Sequence, residues 1–230
     1  MSEFDARIAR LKAELAAQGV AVRRMIESAV DAVFLGDGGQ ARQTMECDGA
    51  IDREDVRIER EAVRLLQEAT SAGAELSPDG VRLVLTIVKI NNELERVADC
   101  AVLIASKHAG FKDGAEPPPP RFRVMANSVI GIMDTATKAY DQMDRVAAEL
   151  VLASDDATEA FKQALLRETL DHLARGGSTP GRTLDLQIIA ATLGRMADHC
   201  TNIAEQVIYA STGKVVRNQG DRWSKPEEIA

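Results

Sequence analysis

The sequence predicts an all-α protein made of two tandem antiparallel three-helix bundles, with six long helices in total. Apolar residues recur at steps of three and four over long stretches, and strand-like alternation is missing. Aromatic residues make up only 3% of the chain while Ala, Leu, Arg and Glu are frequent, which favours helices over sheets. A similar segment also occurs twice, as LERVADCAVLIA at residues 94–105 and as LGRMADHCTNIA at residues 193–204.

The first repeat is predicted to span residues 1–110. An apolar stripe over residues 8–33 predicts its first helix, which ends at the glycines of LGDGGQ. A second stripe over residues 51–69 predicts the next helix. Ser77 before Pro78 has the pattern of an N-cap and a first-turn proline, so the third helix is predicted to begin there and to carry the first copy of the repeated segment.

A proline-rich linker is predicted at residues 111–120, because consecutive prolines cannot continue a helix. The second repeat, residues 121–214, follows the same plan. Its first helix is predicted to carry a stripe over residues 130–151, and its second to begin at Ser154 as N-cap. The third follows GGSTPGRT and carries the second copy of the repeated segment. A polar C-terminal tail is expected at residues 215–230.

Composition and charge exclude several classes of protein. The net charge of −8 argues against a nucleic-acid partner, because phosphate contacts need a basic surface. No apolar run approaches the roughly 20 residues that span a bilayer, and the N-terminal segment lacks the apolar core of a signal peptide. The three cysteines are scattered, which predicts reduced thiols rather than disulfides. We therefore expect a soluble cytoplasmic protein.

Acidic residues at helical spacing form the candidate functional site. They are Asp48, Asp52, Glu95 and Asp99 in the first repeat, and Asp155, Glu159 and Asp198 in the second. Carboxylates four residues apart share one helix face and repel each other by roughly 0.2–0.5 kcal/mol. Neighbouring arginines such as Arg96 and Arg195 can relieve this repulsion, and so can a metal ion. Both explanations remain open at this point.

Catalysis has weaker support in the sequence. The chain has neither a phosphate-binding glycine-rich loop nor a nucleophile with an evident base. His199 next to Asp198 is either a ligand or proton shuttle, or simply one partner of an interhelix hydrogen bond. A metal-dependent enzyme with Asp198 and His199 as ligand and base is therefore one alternative function. A metal-free structural bundle is another.

The repeated segments NNELERVADCAVLIA and LGRMADHCTNIAE resemble the signature segments of the PhoU family. MECDGAID resembles the second-helix motif of that family, and the similarity extends over roughly residues 5–214. The resemblance implies two three-helix repeats, each with an acidic motif. It also implies a non-enzymatic cytoplasmic regulator, often a homodimer, that acts on the ATPase subunit of the Pst phosphate transporter and on a PhoR-type sensor kinase. Such a regulator associates with membrane complexes only peripherally.

The resemblance further implies that the seven acidic residues hold metal ions, for which magnesium, manganese, iron and zinc are candidates. Asn202 and Glu205 match the end of the family motif in the second repeat. One departure concerns Gly194, which stands where the first repeat has Glu95. Because Gly194 removes one carboxylate, we expect the second site to be weaker than the first or empty.

Overall fold

The computed structural model describes residues 3–71, 77–111 and 115–217, and the regular structure within these ranges is entirely helical. The all-α prediction is therefore confirmed. In chain order the α-helices are α1 (Glu3–Leu35), α2 (Gly38–Ser71), α3 (Pro78–Ala105), α4 (Pro120–Gln142), α5 (Arg145–Ala153), α6 (Asp155–Ala174) and α7 (Pro180–Thr212). A 3-10 helix, Ser106–Phe111, follows α3. None of the helices in the described ranges is long and apolar enough to cross a membrane.

The first repeat is an antiparallel bundle of α1, α2 and α3. Arg57 of α2 donates to Glu14 of α1 at 2.6 Å, and Asn91 of α3 donates to the main-chain oxygen of Asp55 of α2 at 2.9 Å. The predicted start of α3 is correct, because Ser77 Oγ accepts a hydrogen bond of 3.0 Å from the amide of Gly80. This contact satisfies one of the amides that a helix N-terminus leaves unpaired.

The second repeat differs from the prediction at its first turn. The stripe over residues 130–151 is divided between two helices, because Met143 adopts left-handed backbone angles (φ 51°, ψ 39°) and ends α4. Asp144 then caps α5 by accepting from the amides of Val146 and Ala147. The turn lacks the glycine or proline that usually marks such a break, and its sequence signal is limited to the capping residue Asp144.

Ser154 stands at the predicted N-cap position directly before α6, but its side chain does not cap the helix. Its backbone is helical (φ −83°, ψ −10°), and its hydroxyl donates to the carbonyl oxygen of Val151. Helices α5 and α6 therefore follow each other with a single residue between them and together take the place that α2 has in the first repeat. The second bundle consists of α4, α5 with α6, and α7, which preserves the predicted three-part plan.

Two further segments border the second repeat. Arg182 donates to the main-chain oxygens of Glu116 and Pro117, which ties the described part of the proline-rich segment to α7. After α7 the chain turns at Gly213, and Val216 is buried. Residues 218–230, which include most of the predicted polar tail, lie outside the described residues.

The two repeats pack against each other and share one core. Helices α3 and α7 run antiparallel, with Glu93 of α3 beside His199 and Asn202 of α7. On the other side α1 and α4 also run antiparallel, and Arg123 of α4 contacts Asp31 of α1 at 2.5 Å. The two copies of the repeated segment thus lie on adjacent helices in the interior of the molecule.

We predict that Gly19 of α1 is required for the close approach of α4. A Cβ atom at this position would lie 2.7 Å from Thr137 Cγ2, so Gly19→Ala is expected to lower the free energy of unfolding despite the higher helix propensity of alanine. In a Thr137→Ala background the same change should raise it by up to about 1 kcal/mol. Urea unfolding measures both effects.

Gly131→Ala is the control. A Cβ atom at this position has no neighbour within 4 Å in the described structure, so the substitution should raise the free energy of unfolding. Stabilisation by Gly19→Ala in the wild-type background would contradict the prediction.

Candidate functional site

The groove between α2 and α3 brings together the four acidic residues predicted in the first repeat, and it adds a fifth. We call Asp48, Asp52, Asp55, Glu95 and Asp99 the first acidic cluster. The antiparallel packing of the two helices sets the three aspartates of α2 opposite the two acids of α3. Asp55 follows Asp52 by three residues on α2, and the structure shows that it faces α3.

Mutual repulsion is evident in the electrostatics of the first acidic cluster. Burial, followed by the negative charges of Asp52 and Asp99, raises the pKa of Asp48. Burial also raises the pKa of Glu95, with further contributions from Asp99, Asp55 and Asp52. In both residues the ionised form is therefore destabilised in the folded protein.

Asn91 of α3 is the buried polar residue that holds this groove together. Its side-chain amide donates to Asp55 Oδ1 at 2.6 Å as well as to the Asp55 main-chain oxygen. Burial and the charges of Glu59 and Asp52 raise the pKa of Asp55, and the hydrogen bond from Asn91 opposes this shift. Asn91 Oδ1 and Asp48 Oδ1 are both buried and have no hydrogen-bond partner among the described residues. Oxygens of this kind are the ligands that hard cations prefer.

Arginines do not neutralise the first acidic cluster by direct contact. Arg57 forms its ion pairs with Glu14 and Glu54, each at 2.6 Å. Arg96 donates to Asn92 and acts on Glu95 only at longer range, where it opposes the rise in pKa. Across residues 3–71, 77–111 and 115–217, no ion pair joins the first acidic cluster to a basic side chain. Of the two explanations left open by the sequence, arginine pairing is therefore not observed here.

The oxygen atoms of this groove are of the kinds that bind metal ions, but they are not arranged as a preformed ligand shell in the described structure. Carboxylate oxygens and a buried amide oxygen suit magnesium, manganese or iron. Within the part of the chain that the structure describes, however, no three His, Cys, Asp or Glu side chains converge closely enough to hold an ion. Shared coordination would require the carboxylates to rotate toward one another about their side-chain torsions.

The acids of the second repeat also come together, at the start of α6 and the middle of α7. We call Asp155, Glu159 and Asp198 the second acidic cluster. Burial raises the pKa of Asp155, and the charges of Asp198 and Glu159 add to the rise. Lys162 of α6 lies among these residues and forms an ion pair with Glu159. Sequence reasoning missed Lys162, although its position three residues after Glu159 places it on the same helix face.

His199, in the second copy of the repeated segment, connects α7 to α3. Its Nδ1 atom lies 2.7 Å from Glu93 Oε2, and the Asn202 amide donates to the same oxygen at 3.1 Å. Burial alone would raise the pKa of Glu93, but the hydrogen bonds from His199 and Asn202 outweigh it and lower the pKa. The interhelix hydrogen bond is thus the role that the structure gives His199. Glu205, the other matched residue, is buried and paired with Arg217.

A polar cleft of about 780 Å³ opens beside this contact between α3, α7 and the start of α6. Its lining includes Lys89, Glu93, Asp155, Asp198 and Asn202. The cleft joins the second acidic cluster to the contact between the repeats. Charged groups of both signs line it, so its surface suits polar contacts rather than an apolar ligand.

We predict that neutralising Asp52 stabilises the metal-free protein at neutral pH. Asp52 repels Asp48, Asp55 and Glu95, so Asp52→Asn should raise the free energy of unfolding at pH 7 by roughly 0.5 kcal/mol. Because those three pKa values are raised in the folded state, protonation at lower pH already relieves the repulsion. The advantage of the variant should therefore shrink as the pH falls through the raised values toward about 4.

Urea unfolding in the presence of a chelator, at pH 7 and at acidic pH, measures this difference. Glu46→Gln is the matched control, because Glu46 is exposed and lies roughly 200° around α2 from Asp48. Equal stabilisation by both variants, or an advantage of Asp52→Asn that does not change with pH, would contradict the prediction.

Comparison with known proteins finds the same two-part organisation. The family model of the PhoU domain matches the chain twice, over residues 15–107 and over residues 122–207. Each match ends with a helix that carries one copy of the repeated segment. The matches cover most of the chain and include all seven acidic residues predicted from the sequence.

Relatives of known sequence cover almost the whole chain. The phosphate-specific transport system accessory protein PhoU homolog of Pseudomonas putida is 29% identical over 220 residues, which cover 95% of this chain and 84% of the relative. The protein of the same name from Zymomonas mobilis is 30% identical over 212 residues, which cover 92% of this chain and 87% of the relative.

Solved structures agree with this similarity. The crystal structure of PhoU from Pseudomonas aeruginosa superposes with a TM-score of 0.85 at 28% identity, over 92% of this chain and all of that one. The PhoU structure from Streptococcus pneumoniae, at 21% identity and over 94% of this chain and all of that one, has the same fold with a TM-score of 0.85. The duplicated family match, the relatives and the shared fold together establish that this chain belongs to the PhoU family.

Proposed function

We propose that this protein is a non-enzymatic regulator of phosphate homeostasis that modulates phosphate uptake through protein contacts. The match of the PhoU domain to both repeats carries the proposal. Its relatives are named accessory proteins of the phosphate-specific transport system, a description that implies assistance to a transporter rather than chemistry on a substrate.

The partners that we propose are the ATPase subunit of the Pst transporter and a PhoR-type sensor kinase. Both would be met in the cytoplasm, at the inner face of the membrane complexes to which they belong. The net charge of −8 and the two acidic clusters suit basic surfaces on these partners, because complementary charge speeds association and selects orientation. Formation of a homodimer belongs to the same proposal.

We further propose that the first acidic cluster binds a divalent or iron-type cation. Support comes from the raised pKa values of Asp48, Asp55 and Glu95 and from the unpartnered oxygens of Asp48 and Asn91. A cation in the groove would relieve the repulsion between α2 and α3. Asp48, Asp52, Glu95 and Asp99 would hold it, with magnesium, manganese, iron or zinc as candidates.

We predict that Glu95→Ala lowers the metal content of the purified protein more than Asp198→Ala does. Glu95 belongs to the cluster without an ion-paired cation, whereas Asp198 belongs to the cluster that contains Lys162. Elemental analysis after dialysis against Mn²⁺ measures the content. The reverse order would contradict the ranking of the two clusters. Absence of metal from the wild-type protein would contradict the cation proposal itself and favour the metal-free bundle.

Pull-down with the cognate transporter ATPase and the sensor kinase tests the regulatory function. We expect the wild-type protein to retain at least one of these partners, and the Asp52→Asn/Asp99→Asn variant to retain less of it, because that change removes two exposed charges of the first acidic cluster. Glu46→Gln, outside the groove, should leave retention unchanged. Failure of the wild-type protein to associate with either partner would overturn the proposed function.

A further inference from the structure

The two repeats differ at two facing positions of their acidic clusters. Asp155 and Glu159 of α6 correspond to Asp48 and Asp52 of α2, and the same register sets Lys162 where α2 has Asp55. Burial supports this register, since the next core positions, Ile58 and Leu165, are both 0% exposed.

On the opposing helices, Asp198 corresponds to Asp99, and the register sets Gly194 where α3 has Glu95. In the first repeat the acids at these two facing positions repel each other, because the charge of Asp55 contributes to the raised pKa of Glu95. In the second repeat both acids are missing, and a lysine and a glycine stand in their place. One replacement removes a negative charge, and the other exchanges a negative charge for a positive one.

The lysine and the glycine fit together in space. A Cβ atom at Gly194 would lie 2.5 Å from Lys162 Cδ and 3.4 Å from Lys162 Nζ. The aliphatic stem of Lys162 therefore occupies the volume that a side chain at position 194 would need. Gly194 is buried, and the Lys162 side chain is only 19% exposed. A glycine inside a helix costs about 1 kcal/mol relative to alanine, so its presence here has a steric reason.

The ammonium group of Lys162 lies where the acids of the second repeat converge. It forms an ion pair with Glu159. Burial raises the pKa values of Asp155 and Asp198, and the charge of Lys162 opposes that rise. The first acidic cluster has five carboxylates and no ion-paired base among the described residues, whereas the second has three carboxylates and this one ammonium. The second cluster thus needs much less added positive charge.

We propose that Lys162 is the resident cation of the second acidic cluster, where its ammonium group and stem fill the space that a divalent cation would need. The second repeat therefore requires no metal ion. Only the first repeat is then left to respond to an added cation. The metal measurements of this inference rest on the proposed cation binding of the first repeat. The pairing of Lys162 within the second repeat is independent of metal and has its own test.

The metal test isolates the second cluster in an Asp52→Asn/Asp99→Asn background, with Mn²⁺ alone as the probe and equilibrium dialysis as the measurement. We expect this background to bind less than about one tenth of the Mn²⁺ that the wild-type protein binds at the same free concentration, since ten-fold corresponds to 1.4 kcal/mol. Adding Lys162→Asp and Gly194→Glu restores the pattern of the first repeat. This folded quadruple variant should regain about one Mn²⁺ per chain.

Two outcomes would overturn the inference in this test. One is Mn²⁺ binding in the Asp52→Asn/Asp99→Asn background that disappears on adding Asp155→Asn and Asp198→Asn. The other is a folded quadruple variant that binds no Mn²⁺ while the wild-type protein does. If the wild-type protein binds no Mn²⁺, the cation proposal for the first repeat fails, and the next measurement decides the role of Lys162.

Thermal unfolding in a chelator tests the resident cation without metal. Lys162→Met removes the charge but keeps a stem of similar length, and we expect it to lower Tm by about 2–4 °C. In an Asp198→Asn background the loss should be at most half as large. Lys138→Met is the control, because Lys138 is exposed and its ion pair in the described part of the chain is with Asp134 on its own helix, so the Tm of this variant should change little. An unchanged Tm, or an equal loss in both backgrounds, would overturn the inference.

Discussion

The antiparallel contact between α3 and α7 is the constraint on which the rest of the structure depends. The Tyr209 ring of α7 lies against Arg82 and Lys89 of α3, and Glu93 pairs with His199 further along, so the contact extends over several turns of both helices. The contact places the two copies of the segment in one core. The polar bridge from Glu93 to His199 and Asn202 crosses the same contact and gives it a defined register. Each repeat can then present its acids between its own middle helix and this central pair.

The same architecture carries different charges in the two repeats. In the first, facing carboxylates lie close enough to raise the pKa values of Asp48, Asp55 and Glu95. In the second, Lys162 and Gly194 stand in place of the two facing acids. Lys162 forms an ion pair with Glu159, and the missing side chain at Gly194 leaves room for the stem of Lys162. The groove in the first repeat therefore holds repulsion between carboxylates that a positive group could relieve. In the second repeat the neighbouring acids also contribute to the raised pKa of Asp155, and the charge of Lys162 opposes this rise.

Arginines on the outer surface form ion pairs that join α1 to α2. Arg57 connects α2 to Glu14 of α1, and Arg7 of α1 pairs with Glu61 of α2 at 2.7 Å. Exposed ion pairs contribute little to stability, typically below about 1 kcal/mol each. Their consequence here is positional, because basic side chains held along the contact between α1 and α2 are not available to the acidic groove between α2 and α3.

The helical class, the duplication, the Ser77 cap of α3 and the identity of most acidic residues are predictable from the sequence. These features follow from local periodicity and capping chemistry, which are written into neighbouring residues. The sequence pattern misplaced the turn in the second repeat, because Met143 adopts left-handed backbone angles without the glycine that usually marks them. Three features become visible in the folded protein alone. Asp55 faces Glu95, Asn91 of α3 donates a hydrogen bond to Asp55 of α2, and the stem of Lys162 occupies the space beside Gly194. Each of these contacts joins residues at least 30 positions apart, and such contacts depend on how helices rotate and pack rather than on any local pattern.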